Sequence, residues 1–199
     1  MQVLKEEIRI KILESAKALF LQNGFDKTSM NMIAKKAGIS KSNLYNYFSA
    51  KEEIFFHLTD RVHTEIRTVL AHLLDHESGE AFDYHKYLAW MSDKTIKILI
   101  KCREEMLLIM DCSKGTRYEN TKQEFIFHLQ QHFMQEFEEH NISIDDNCFM
   151  SHYIATSLME GLLEPIRHNK SDEWIRKNIK MLIEYHINGY AQFFTDVIS

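Results

Sequence analysis

Residues 27–51 hold the side chains best suited to chemistry with a partner. Lys41, Ser42, Tyr45 and Asn46 are spaced to lie along the outer side of a short helix, with Leu44 and Phe48 directed inward. An ammonium, a hydroxyl, a phenol and a carboxamide can together donate to phosphate oxygens and to the edges of bases. The charge pattern agrees. Residues 1–51 carry nine Lys/Arg against four Asp/Glu, whereas residues 52–199 carry fifteen against twenty-five. From Lys27 to Lys51 inclusive there are five lysines and no acid, although the whole chain has a net charge of −5. A basic segment attached to an acidic body is the electrostatic pattern of nucleic-acid binding.

Other chemistries have less behind them. His72/His76 and His128/His132 are i,i+4 pairs able to share a metal, but two ligands fall short of a site. No HExxH occurs, and no Glu has a His three residues on, as a di-iron carboxylate bundle would require. Cys102, Cys112 and Cys148 are odd in number and lack metal spacing, which fits small buried hydrophobes in a reducing compartment. No catalytic constellation, metal site or cofactor motif emerges, and the expectation is a protein that is not an enzyme.

A groove-reading surface needs two short helices at a steep angle, joined by a tight turn. The first helix is marked by Leu4, Ile8, Ile12, Ala16 and Leu19/Phe20, and Asn23-Gly24-Phe25 stops it. Gly24 can adopt the left-handed conformation, with Phe25 folding back on Phe20. Thr28 or Ser29 caps a second helix whose inner face is Ile33, Ala34 and Ala37. Gly38 supplies the positive φ of the turn, Ile39 fills the space beneath it, and Ser40 caps the third helix. Ser49-Ala50-Lys51-Glu52 reads as a capping box, Ser49 pairing with Glu52 at the start of a long fourth helix that runs to about Leu74.

Composition suits a helical protein throughout. The 199 residues include one proline and six glycines, with no alternating period-2 segment and no internal repeat. Connectors are expected at 75–80, 113–116 and 143–146. Helices are expected over Tyr84–Lys101, Arg103–Asp111, about Glu119–His140, about Asn147–Arg167 and about Ser171–Val197. No apolar run approaches the ~18 residues needed to span a bilayer, and the N-terminus is charged rather than signal-like, so a cytoplasmic protein is expected. The expected division is a DNA-binding unit over residues 1–47 and a larger bundle over 48–199.

One run carries a resemblance: Ile12-Leu13-Glu14-Ser15-Ala16, Leu19-Phe20, Gly24-Phe25, Thr28-Ser29-Met30, Ile33-Ala34, Ala37-Gly38-Ile39-Ser40-Lys41, Leu44-Tyr45-Asn46-Tyr47-Phe48 and Lys51-Glu52-Glu53-Ile54-Phe55. It resembles the TetR family of bacterial transcriptional regulators over about a quarter of the chain. The resemblance implies an all-α homodimer of about nine helices. Three would form an N-terminal helix-turn-helix DNA-binding domain. A C-terminal helical domain would hold a ligand-binding core, with the last two helices dimerising. It also implies a double-stranded operator as partner and, as the family default, a repressor released by a small apolar effector.

The family's DNA contacts carry over to Thr28, Ser29 and Asn31 near the start of the second helix, and to Ser40, Lys41, Ser42, Tyr45 and Asn46 on the recognition helix. Tyr47 and Lys51 are expected to grip the backbone, Lys51 where free N–H groups and a helix dipole favour an anion. Asn43 stands where Thr is commoner, and Asn46-Tyr47 replaces pairs such as Tyr-His, so base preference at Asn46 does not transfer.

The acidic part of the chain is rich in Met and aromatic residues, any one of which serves as core filler. Together they could line a pocket between helices. Trp90, Met106, Met110, Phe125 and Tyr153 are the expected ligand-binding set. Leu158, Leu162 and Leu163 around Gly161, and Ile175, Ile179, Leu182/Ile183, Tyr190, Phe193/Phe194 and Val197 around Gly189, mark the expected dimer helices. A helical-bundle enzyme or metal carrier is the first competing reading, and a helical adaptor that binds only protein is the second. A steep salt dependence of duplex binding separates DNA binding from both.

Overall fold

A computed structural model describes residues 2–74, 84–139, 149–168 and 170–195, with side chains at 5–71, 92–139, 149–168, 170–186 and 188–189. These residues form nine helices and no strand, an all-α fold: α1 (Gln2–Asn23), α2 (Met30–Ala37), α3 (Lys41–Tyr45), α4 (Lys51–Leu74), α5 (Tyr84–Lys101), α6 (Arg103–Asp111), α7 (Thr121–Glu139), α8 (Phe149–Arg167) and α9 (Asp172–Thr195). The helices expected over Tyr84–Lys101 and Arg103–Asp111 have those bounds. The expected connectors at 75–80 and 143–146, with Cys148 and Val197, lie outside the described residues.

Helix α1 buries Ile12, Ala16 and Phe20 completely, a face set by their i, i+4 and i+8 spacing. It ends as its composition requires. Gly24 takes a φ of 83°, and its N–H donates to Phe20 O at 2.8 Å. Phe25 then turns back, its ring 5.6 Å from Phe20 and 5.2 Å from Phe55 of α4. Three fully or almost fully buried rings so join α1, the α1–α2 turn and α4. At about 2–3 kcal/mol of burial each, they anchor this part of the chain.

The start of α4 differs by one position from the sequence reading. The helix begins at Lys51, which makes Glu53 its third residue. Glu53 therefore accepts from both the N–H of Ser49 (2.7 Å) and its hydroxyl (2.9 Å), and Glu52 does not take that part. These bonds, the backbone one foremost, hold the Glu53 carboxyl below its ordinary range.

Chain contacts divide the protein into two units: residues 1–65 with 104–121, and residues 66–103 with 122–199. The first unit thus takes in α6 after its first residue and the loop that follows, in addition to the N-terminal helices. Non-local contacts made by residues 104–121, described below, are the reason.

In the second unit α9 packs on α8 and α5, burying Ile175 and Ile179 entirely. A Cβ on Gly161 would stand 2.8 Å from both methyl carbons of Leu182, so α8 and α9 approach closely there. Among the described residues of this chain, a Cβ on Gly189 would meet nothing within 4 Å. Pro165 sits in the last turn of α8, where it cannot donate the helical bond to the carbonyl four residues back. Arg103 completes that end, donating from Nε to Ile166 O at 2.7 Å and from Nη2 to His168 O.

Candidate nucleic-acid interface

The geometry follows from three local devices. Ser29 caps α2, its hydroxyl accepting from Met32 N at 3.3 Å. Of the two expected caps, Ser29 is the one used. Gly38 ends α2 with φ 67°, and the N–H groups of Gly38 and Ile39 return to Lys35 O (3.2 Å) and Ala34 O (3.0 Å). Ser40 caps α3, accepting from Asn43 N at 3.1 Å. Below the turn, Ile33, Ala37 and Leu44 are fully buried, with Ala34 and Phe48 nearly so.

With its inner face spent on packing, α3 presents Ser40, Lys41, Ser42, Tyr45 and Asn46 to solvent. Tyr45 is 46% exposed. Lys41 Nζ lies 5.9 Å from the Tyr45 ring centroid, and the Ser40 and Ser42 hydroxyls are 3.1 Å apart. Asn46 ends the helix, its own N–H bonded to Asn43 O at 3.1 Å while its side chain stays exposed. Ser29 and Asn31 are exposed and Tyr47 is half-buried. The structure brings these residues together on and beside one helix of the first unit.

Two of the expected contact residues spend donors inside the chain. Thr28 is 2% exposed, and its hydroxyl donates to Gly24 O at 2.8 Å and Leu19 O at 3.3 Å. It closes the α1–α2 turn and has no hydroxyl to offer a phosphate. Lys51 is also turned inward. Its Nζ donates to Phe25 O (2.8 Å) and Thr28 O (3.0 Å) and stands 4.0 Å from the Phe25 ring centroid. Two of its three donors are committed to carbonyls that lack other side-chain donors, so the ammonium ties α4 to the turn.

Sequence reasoning passed over Lys11, Lys35 and Lys36, all exposed. Lys11 Nζ comes within 3.6 Å of where a Gly38 Cβ would stand, which places it over the α2–α3 turn. Lys35 and Lys36 lie in the last turn of α2. Membership in the acid-free stretch was the available signal for the latter two; nothing local marks Lys11.

The expected ligand-binding residues are distributed as follows. Met106 (4% exposed) and Met110 (7%) belong to the first unit, and Phe125 (5%) to the second. Tyr153, also in the second unit, is 57% exposed, with its ring centroid 6.2 Å from that of Phe149. The Trp90 side chain lies outside the described residues. Cys102 is buried and Cys112 half-buried, with burial first and Asp111 second pushing the Cys112 thiol above its ordinary value. Among the described residues no three His, Cys, Asp or Glu could hold a metal ion, and no helix is long and apolar enough to cross a membrane.

Residues 12–58 match the family described as bacterial regulatory proteins, tetR family. Over 51 residues the chain is 41% identical to the HTH-type transcriptional regulator QacR of Staphylococcus aureus, covering 26% of this chain and 27% of that one. It is 39% identical over 51 residues to the uncharacterized HTH-type transcriptional regulator YfiR of Bacillus subtilis, covering 26% and 25%. The chain therefore aligns with about a quarter of the length of these relatives. Among solved structures, its fold resembles that of SCO3833, a member of the TetR transcriptional regulator family from Streptomyces coelicolor. The TM-score is 0.65 and the identity 19%, over 88% of each chain.

Proposed function

The chain carries, over residues 12–58, the N-terminal domain of the TetR family of bacterial regulatory proteins, and from that premise we propose that it is a transcriptional regulator that binds double-stranded operator DNA as a homodimer. The observation that carries this reading is the surface of α3. Lys41, Ser42, Tyr45 and Asn46 are exposed above a fully buried Leu44, in a segment free of acidic residues from Lys27 to Lys51. That arrangement gives donors for phosphates and base edges on a helix short enough to enter a major groove. Thr28 and Lys51 support it from behind, and Ser29, Asn31, Tyr47, Lys11, Lys35 and Lys36 flank it.

Dimerisation is supported by apolar surface on the second unit. Tyr185 (74% exposed) and Met181 (57%) on α9, with Phe149 (61%) and Tyr153 (57%) on α8, are large hydrophobic side chains in water on the two helices that pack on each other. An isologous contact through α8 and α9 covers them. Two recognition helices on such a dimer must stand ~34–36 Å apart to read successive major-groove half-sites. The family resemblance adds repression and release by a small apolar effector. Helix α4 contributes residues 51–65 to the first unit and 66–74 to the second.

The test is selection of duplexes from a random-sequence pool, followed by affinity measurement across salt concentrations. A palindromic consensus and a slope of about −0.9 per phosphate contact support the reading. Salt-independent binding, or none, refutes it.

A further inference from the structure

Asp60, on the exposed side of α4, gathers two bonds from residues far along the chain. Its Oδ1 accepts from Arg117 Nη2 and from the Tyr118 hydroxyl, each at 2.7 Å. The Arg117 guanidinium stands 4.0 Å from the Phe56 ring centroid, and His63 stacks on Tyr118 at 4.1 Å. Phe56, Asp60 and His63 are spaced i, i+4 and i+7, so one stripe of α4 seats residues 117–118.

The loop so held is internally stiff. The Ser113 hydroxyl bonds Ile109 O (2.7 Å) and Tyr118 O (3.0 Å), and Tyr118 N donates to Thr116 Oγ1 at 3.0 Å. Its other end reaches the α1–α2 turn. Phe25 N donates to Cys112 O at 2.9 Å, and a Cβ built on Gly115, at φ 87°, would stand 3.8 Å from Cδ1 of the Phe25 ring. Phe25 opens the Phe25–Thr28 turn, after which Ser29 caps α2, and α2 carries α3 through the Gly38 turn.

We infer that Asp60 is a positioning residue for the recognition helix: through Arg117 and Tyr118 it holds the 112–118 loop against Phe25 and so sets the turn from which α2 and α3 extend. The inference rests on the DNA-binding reading. A five-residue helix has little packing of its own, and hydrogen bonds to bases tolerate only a few tenths of an ångström. The orientation of α3 is therefore inherited from what holds α2. Asp60 itself carries the wrong charge to touch DNA.

The test compares wild type, Asp60→Ala, Asp60→Glu and Tyr118→Phe on a labelled duplex selected by the wild-type protein from a random pool. Amide hydrogen exchange is read in parallel. Asp60→Ala is expected to lower affinity about 5- to 30-fold, because two charge-assisted bonds are lost, one of them from a buried tyrosine. The salt slope stays unchanged, and exchange at Phe25 and through α2 speeds up while that at Ile175 and Ile179 does not. Asp60→Glu, which can accept the same bonds, restores most of the affinity, and Tyr118→Phe gives a smaller loss. Unchanged or tighter binding by Asp60→Ala overturns the inference, since removal of a remote acid alone favours an anionic partner. Exchange that speeds up uniformly in both units also overturns it. A wild-type protein that selects no duplex sinks the DNA-binding reading itself, a result distinct from either.

Discussion

Replacing Lys51 by Met separates two physical roles for one lysine. The methionine keeps the apolar stem and deletes the ammonium, and with it the bonds to Phe25 O and Thr28 O and the contact over the Phe25 ring. A hydrogen bond from a charged donor contributes about 1.5–3 kcal/mol. Two features lower the total here: Lys51 is only half-buried, and Phe25 O keeps a second donor, Thr28 N at 3.2 Å. A net loss of about 2 kcal/mol follows, which for a chain of this size lowers Tm by roughly 4–8 °C. Urea denaturation followed by circular dichroism reads the stability. Fluorescence anisotropy on a selected duplex, across salt concentrations, reads the DNA contacts. Lys51→Met is expected to lose stability and some affinity while the salt slope stays that of wild type, because this ammonium neutralises no phosphate. Unchanged stability with a slope smaller in magnitude by about one would refute the reasoning and make Lys51 a phosphate ligand.

Replacing Asn46 by Ala should change preference at one base pair of the selected site, with a penalty of about 1–3 kcal/mol for a bidentate contact. An equal loss on all duplexes would assign Asn46 to the backbone. Met181→Arg together with Tyr185→Arg should convert the dimer to monomer in sedimentation velocity, leaving the helical circular dichroism intact; a persisting dimer removes the α9 face from the interface. The depressed pKa of Glu53 makes its ionised form stabilising above the ordinary value of 4.5, and that contribution is lost as pH falls through the folded-state value. Wild-type stability should therefore drop more steeply than that of Glu53→Gln on acidification below about pH 5, and parallel curves would disprove the link.

What the sequence determined by itself was local. The bounds of α5 and α6, the caps at Ser29 and Ser40, the left-handed turns at Gly24 and Gly38 and the return of Phe25 onto Phe20 all depend on residues within a few positions of each other. Propensity, side-chain period and cap chemistry act at that range, so a pattern of types is enough to reveal them. The exposed Lys41, Ser42, Tyr45 and Asn46 were legible for the same reason: once Leu44 faces the core, helix geometry places them outside. The rest needed the tertiary structure. Thr28 and Lys51 look like phosphate ligands by type and place, yet the Thr28 hydroxyl and two of the three Lys51 donors go to carbonyls at Leu19, Gly24, Phe25 and Thr28. The exposure of Tyr153 on α8 is likewise set by which face of the helix packs on α9, which residue type alone does not give. The seat of the 112–118 loop on Phe25 and Asp60 joins residues separated by more than fifty positions in the chain. Such contacts depend on how helices pack, and packing at that separation leaves no period in the sequence for a reader to find.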